Sequence, residues 1–187
     1  IKHYYIHQIW PGACGSRSIE GDRLRERQRQ LPKQFSNMSV LSTLGIRPGG
    51  GCHFLADGYA AMAGQLFPLV NQYNYGVEPK TSITPPNILS ASFVGGRKDE
   101  IKLVFDQDVK WEEEIIERFY LDDGSAELTA VGGSGKTITL KLAGPTAAKN
   151  LSYVRGGKWR QDQSIIWGAN DIAALTFCEI PIRLSKD

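Results

Sequence analysis

The sequence predicts an α/β unit followed by an all-β sandwich. Three observations carry this reading. Strand-like and helix-like patterns alternate over residues 1–76, a linker punctuated by Pro and Gly follows, and period-two alternation dominates from there to residue 187. The expected division is therefore an α/β portion at 1–76 and a β-sandwich at 77–187.

Taken in order, Tyr4 to Ile9 forms a short apolar strand, and "WPGACGSRS" is a loop rich in turn formers. The strong helix formers of "IEGDRLRERQRQL" predict a helix from about Gly21 to Leu31, ending at Pro32. "MSVLST" (38–43) is a second short strand, and "LGIRPGGG" is the loop after it. Asp57 suits a helix N-cap, and Tyr59, Met62, Ala63, Leu66 and Val70 recur behind it at helical spacing. Two parallel strands lack the neighbours that bury both faces of a sheet, so this piece is too small to stand alone. Beyond the linker "YNYGVEPKTSITPPN", the segments "EIKLVFD", "RFYLD", "KTITLKL", "NLSYV" and "IAALTFCEIPI" alternate or run apolar with turn signals between them, as in an antiparallel sandwich.

Composition narrows the function classes. A formal charge of +2 with acids and bases interspersed gives no reason to expect nucleic acid or an anionic membrane as a partner. No apolar run approaches the ~20 residues of a membrane span, and residues 1–10 carry no charged n-region or cleavage site. The three cysteines, Cys14, Cys52 and Cys178, lack the paired spacing of a zinc site, so no metal is expected. "EEEIIE" reads as a solvated face.

Two motifs resemble functional ones and are set aside. In "AVGGSGKTITLKL", Ala130 replaces the first glycine of a phosphate loop, and the residues after Thr137 alternate like a strand where a phosphate loop needs a helix N-terminus. A Gly-rich hairpin turn is expected there. In "QFSNM" (34–38), Phe35 and Gln34 stand where the esterase motif Gly-Gln-Ser-Asn-Met has Gln and Gly, and a plain helix-to-strand turn is expected.

His53 is the stronger candidate. It lies in a loop beyond the carboxyl end of "MSVLST", the edge where open α/β sheets place their chemistry. The loop carrying Trp10, Pro11 and Cys14 also follows a strand, so parallel strands would open both loops on one edge. There Trp10 either offers an aromatic face to a sugar or plugs the core. Cys14 and Cys52 either form a disulfide pinning the histidine loop or are two buried thiols.

The run "HQIWPGACG…DRLRERQRQLP…FSNMSVLST…GGCHFLADGYAAMAGQLFPLV" resembles the C-terminal part of the SGNH (GDSL-type) hydrolases, in the branch of sialate O-acetylesterases and related carbohydrate esterases. The tail "ITPPNILSASF…IKLVFDQDVKW…GANDIAALTFCEIPI" is similar to the β-sandwich appended to bacterial members of that branch. The resemblance implies a flavodoxin-like three-layer α/β/α fold for the first part, a secreted or periplasmic protein, and a serine esterase mechanism without metal or cofactor. In that mechanism His53 is the general base, and an acyl group, acetyl above all, is removed from a glycan.

Two departures accompany the resemblance. The family's Asp-x-x-His places an aspartate at position 50, where this chain has Gly50, so either a Ser-His dyad operates or another acid substitutes. The blocks carrying the nucleophile serine and the oxyanion Gly and Asn have no counterpart here, and "GAND" (168–171) reads as a turn before the last strand. The expected partners are therefore an N-terminal part of the same enzyme bearing the serine, and an acetylated glycan as substrate. This chain is expected to be one half of a split enzyme or a fragment, inactive alone. The rival expectation is a non-catalytic glycan-binding or scaffold module using the sandwich, with Trp111, Trp159 and Trp167 as stacking surfaces.

Overall fold

The computed structural model describes residues 2–47, 49, 50, 52–122, 124, 126–160 and 163–184, with positions 49 and 50 described by backbone alone. Pro48 and Gly51 of the expected loop 44–51 lie outside the described residues. Strand β1 (Tyr4–His7) pairs in parallel with β2 (Met38–Leu41), Tyr4 standing opposite Met38 and His7 opposite Leu41. Helix α1 (Ile19–Gln34) connects them, capped at Ser18, whose hydroxyl accepts from Gly21 N. It starts earlier than expected and runs through Pro32, because a proline in the last turn removes a single ladder bond and the cap closes beyond it, from Phe35 N to Leu31 O. A two-residue hairpin, β3 (Gly49–Gly50) and β4 (His53–Phe54), follows, then α2 (Ala56–Tyr75). The N-cap of α2 is Leu55, and Asp57 falls in the first turn, where its carboxylate meets the positive end of the helix dipole. Gly76, at φ +73°, ends the helix in the left-handed conformation.

Helix α1 packs by its charged face. Asp22, Arg25, Glu26 and Arg29, at helical spacing, turn toward the second half of the chain: Arg29 grips Glu26 with two hydrogen bonds and donates to Asn87 and Ile88 O, and Glu26 accepts from Cys178 N. The other face leaves Leu24 exposed. Helix α2 covers the opposite side of the strand pair, where Tyr5 donates to Asn74 and His3 stacks on Tyr73 at 3.8 Å.

The second half is one seven-stranded sheet. Its strands are β5 (Ile88–Phe93), β6 (Glu100–Phe105), β8 (Phe119–Leu121), β9 (Leu128–Ser134), β10 (Thr137–Leu142), β11 (Asn150–Tyr153) and β13 (Phe177–Arg183), in the order β8-β11-β13-β5-β6-β10-β9. A small ladder, β7 (Val109–Lys110) with β12 (Trp167–Gly168), stands beside it. The 3-10 helix Glu113–Arg118 packs against both edge strands, β8 and β9, so the sheet curls around a core that includes Ile101, Leu103, Phe105, Ile138, Leu140 and Phe177. The expected sandwich of two antiparallel sheets is thus one continuous curled sheet, and β13 joins β5 in parallel. The residues after Ala130 form the β9–β10 hairpin, with Gly133 and Gly135 at positive φ. "GAND" is a turn in which Asn170 donates to Ser82 O and Thr84 O. The three-layer arrangement implied by the resemblance is not displayed by a single pair of parallel strands. Burial pushes the Cys178 thiol up to about 11, keeping it protonated and inert.

His7 and His3 give the fold a measurable pH response. Burial lowers both imidazoles below their ordinary value, and His7 Nε2 has no hydrogen-bond partner among the described residues. Folding therefore favours the neutral rings: their contribution is complete above the unfolded value of ~6.5 and is lost as pH falls from there through the lower folded-state values. Thermal midpoints of the chain are expected to drop between about pH 7 and pH 5.5, and His3→Gln/His7→Gln is expected to flatten that slope.

Candidate functional site

The strand pair brings the two sequence-selected loops together. Because β1 and β2 are parallel, the chain leaves both at one edge, toward Trp10 on one side and His53 on the other. Gln8 anchors that edge. Its buried amide donates to Arg25 O and Thr176 O and accepts from Thr176 N, so one side chain joins β1, α1 and the approach to β13. Thr43 donates to Gln8 O, and Ser42 donates to Ala174 O.

His53 sits on the hairpin with Gly50 directly opposite it in register. Its side chain is exposed to solvent. The position where the resembling family carries aspartate is therefore the cross-strand neighbour of the histidine, on the same face of the ladder, and glycine there supplies no carboxylate. Asp57 lies exposed in the first turn of α2, and among the described residues no hydrogen bond joins it to the imidazole.

A disulfide and a row of aromatics hold the hairpin. The structure pairs Cys14 with Cys52, their Cα atoms 4.9 Å apart, which ties the turn before His53 to the loop after β1. Phe54 packs on Trp10 at 5.2 Å and edge-on against Tyr59 at 6.1 Å. Trp10 is only 9% exposed, and a side chain at Gly12 would collide with its ring. Of the two expectations for Trp10, the packing is that of a core plug: Gly12 and Phe54 lie against the ring, which forms a wall beneath the histidine hairpin.

A buried ion pair braces the loop from below. Asp22 accepts from Arg25 and from Gly156 N, while Arg25 donates to Ser16 O. Burial raises the Asp22 carboxyl and lowers the Arg25 guanidinium from their ordinary values, each against the pull of its partner, as expected where desolvation outweighs the Coulombic attraction. Sequence pattern alone missed Gln8, Asp22 and Arg25, because polar residues in a helix former or at a strand end read as solvated.

Neither nearby serine suits a nucleophile. The buried hydroxyl of Ser16 is committed to Trp10 O and Ala13 O. Ser36 precedes β2, at the end of the strand opposite the histidine loop. Among the described residues no group of three or more His, Cys, Asp or Glu could hold a metal ion, and no helix is long and apolar enough to cross a membrane. Trp159 is buried in the core, whereas Trp111 and Trp167 are half-buried and line a cavity beside the loop after β2.

No family model matches the chain, and no curated protein does. Among solved structures it is similar to XAC1771, a carbohydrate acetylesterase from Xanthomonas citri, at a TM-score of 0.68 and 15% identity, over 94% of this chain and 40% of that one. At that identity the likeness is one of fold. This chain spans about 40% of the length of that protein. The N-terminal part of the bacterial S-layer protein SbsC aligns over 89% of this chain and 38% of its own at 13% identity, and its TM-score of 0.33 carries no argument.

Proposed function

We propose that this chain is the C-terminal portion of a carbohydrate O-acetylesterase of the SGNH (GDSL-type) kind, in the sialate O-acetylesterase branch, and that His53 is its general base. The observation that carries the reading is the placement of His53: a solvent-facing imidazole on a hairpin clamped by Cys14–Cys52, at the carboxyl edge of parallel strands, in a chain whose fold resembles part of a carbohydrate acetylesterase. Residues 1–76 belong to the hydrolase domain, whose further strands and helices would complete three layers, and residues 77–187 are its accessory β domain. The exposed Leu24, Tyr59 and Phe67 on α1 and α2 are surface that such added elements would cover. An exposed disulfide suits a secreted or periplasmic protein.

In the proposed reaction, His53 takes the proton of a serine on the N-terminal part as its oxygen attacks the acetyl carbonyl, then gives it to the departing sugar oxygen. Water deacylates the serine by the same route, releasing acetate. The oxyanion is held by groups of that other part, and Gly50 leaves the base without a cross-strand carboxylate, as in a Ser-His dyad. The test is acetate release from an acetylated xylo-oligosaccharide. This chain alone is expected to stay at background, and the longer enzyme is expected to turn over; turnover by this chain alone would contradict the split assignment.

A further inference from the structure

The second half of the chain carries a cavity that the esterase chemistry does not use. It measures about 480 Å³, within the range of small-ligand sites, and is lined by Arg47, Lys110, Trp111, Glu112, Ser164 and Trp167 among others. Trp111 and Trp167 are half-buried, each resting on the sheet core on one side and facing the cavity on the other. Trp167 is set firmly. It pairs with Lys110 in the β7–β12 ladder, and its ring leans on Gly45, where φ is +74° and any side chain would collide with the indole. Preset rings of this kind cost little ordering on binding.

The lining itself carries two cations, Arg47 and Lys110, and one carboxylate, Glu112. Asp171, outside the lining, pairs with Lys110 at 2.5 Å, so the two cations are matched by two carboxylates, and Glu112 accepts from Ser164 Oγ at 3.3 Å. Aromatic faces suit the C–H surface of a pyranose, and interleaved donors and acceptors suit its hydroxyls. A phosphate- or carboxylate-rich ligand would call for a cluster of cations, whereas this lining has two, one of them held by Asp171.

We infer that this cavity is a subsite for a neutral pyranoside chain, holding sugar units beside the one whose ester reaches His53. Arg47 and His53 lie on one segment, six residues apart, so their Cα atoms are at most ~20 Å from each other, a reach that a short oligosaccharide spans. The link to His53 rests on the esterase reading, whereas the binding itself does not.

The test uses this chain as it stands, titrated with cellotetraose, xylotetraose and mannotetraose, and with trigalacturonate as the acidic counterpart, while tryptophan fluorescence is followed. At least one neutral tetrasaccharide is expected to saturate the signal with a Kd of about 1 mM or tighter. Trp111→Ala is expected to weaken that binding about tenfold or more, with circular dichroism confirming the fold. Lys110→Ala, on the exposed rim, is expected to weaken it several-fold without touching the core. His53→Ala is expected to leave it unchanged. Absence of saturation by all three neutral sugars, unchanged affinity in both cavity variants, or preference for trigalacturonate would overturn the inference. Sugar binding in a longer enzyme that releases no acetate would leave this site standing and remove the esterase reading alone.

Discussion

Asp22→Ala is expected to destabilise this chain by roughly 3–5 kcal/mol in urea unfolding, the cost of leaving a buried charge without its partner. Arg25 is 1% exposed and Asp22 4%, so water cannot replace the lost carboxylate. The same substitution strips the acceptor from Gly156 N, a second buried group left unsatisfied. Against a typical domain stability of about 5–15 kcal/mol, a loss of this size is a large fraction of the total. The paired replacement Asp22→Leu/Arg25→Met is expected to recover part of the loss, because it leaves no buried charge without a partner, while Gly156 N stays unsatisfied. A single-variant loss under about 1 kcal/mol would mean that the helix does not depend on this pair.

His53→Ala is expected to do the reverse, sparing the fold and removing the chemistry. An exposed side chain on a two-residue strand contributes within about 0.5 kcal/mol of nothing to stability. As the base in the proposed serine esterase reaction it would carry far more of the barrier. Deleting such a group lowers kcat by roughly 10⁴–10⁶-fold, about 5–8 kcal/mol, with KM for the acetylated glycan little changed. The measurement is steady-state acetate release by the longer enzyme, with thermal melts showing that the variant remains folded. A fall in kcat of less than about tenfold would take the base assignment away from His53.

How far the sequence reached follows from which interactions are local. The alternation of Ile101, Leu103 and Phe105, and of Ile138, Leu140 and Leu142, is visible in the chain itself, since period two marks a strand with one buried face. The glycines of "GGSGK" mark their hairpin for the same reason. Pairings that span long separations were not legible. Nothing near Phe177 signals that β13 will lie parallel to β5, or that Ala174, Leu175 and Thr176 give their amides to Ile166, Pro86 and Gln8. Helix α1 is legible from its helix formers, but which face it buries is not: Asp22 with Arg25, and Glu26 with Arg29, satisfy one another and the facing backbone, so the charged face is the buried one. At the site, the position of His53 could be read from the order of strand, loop and helix. The hairpin that holds it, the choice between disulfide and free thiols, and the covering of Trp10 required three-dimensional neighbours.

In the proposed mechanism an imidazole in this chain acts on an oxygen outside it. Fluorophosphonate labelling of the longer enzyme, with the adduct mapped by peptide mass, tests this most directly. The predicted result is one stoichiometric adduct on a serine beyond residues 1–187, formed at least a hundredfold more slowly in His53→Ala. An adduct on Ser16 or Ser36, or one that forms as fast without the histidine, would contradict it.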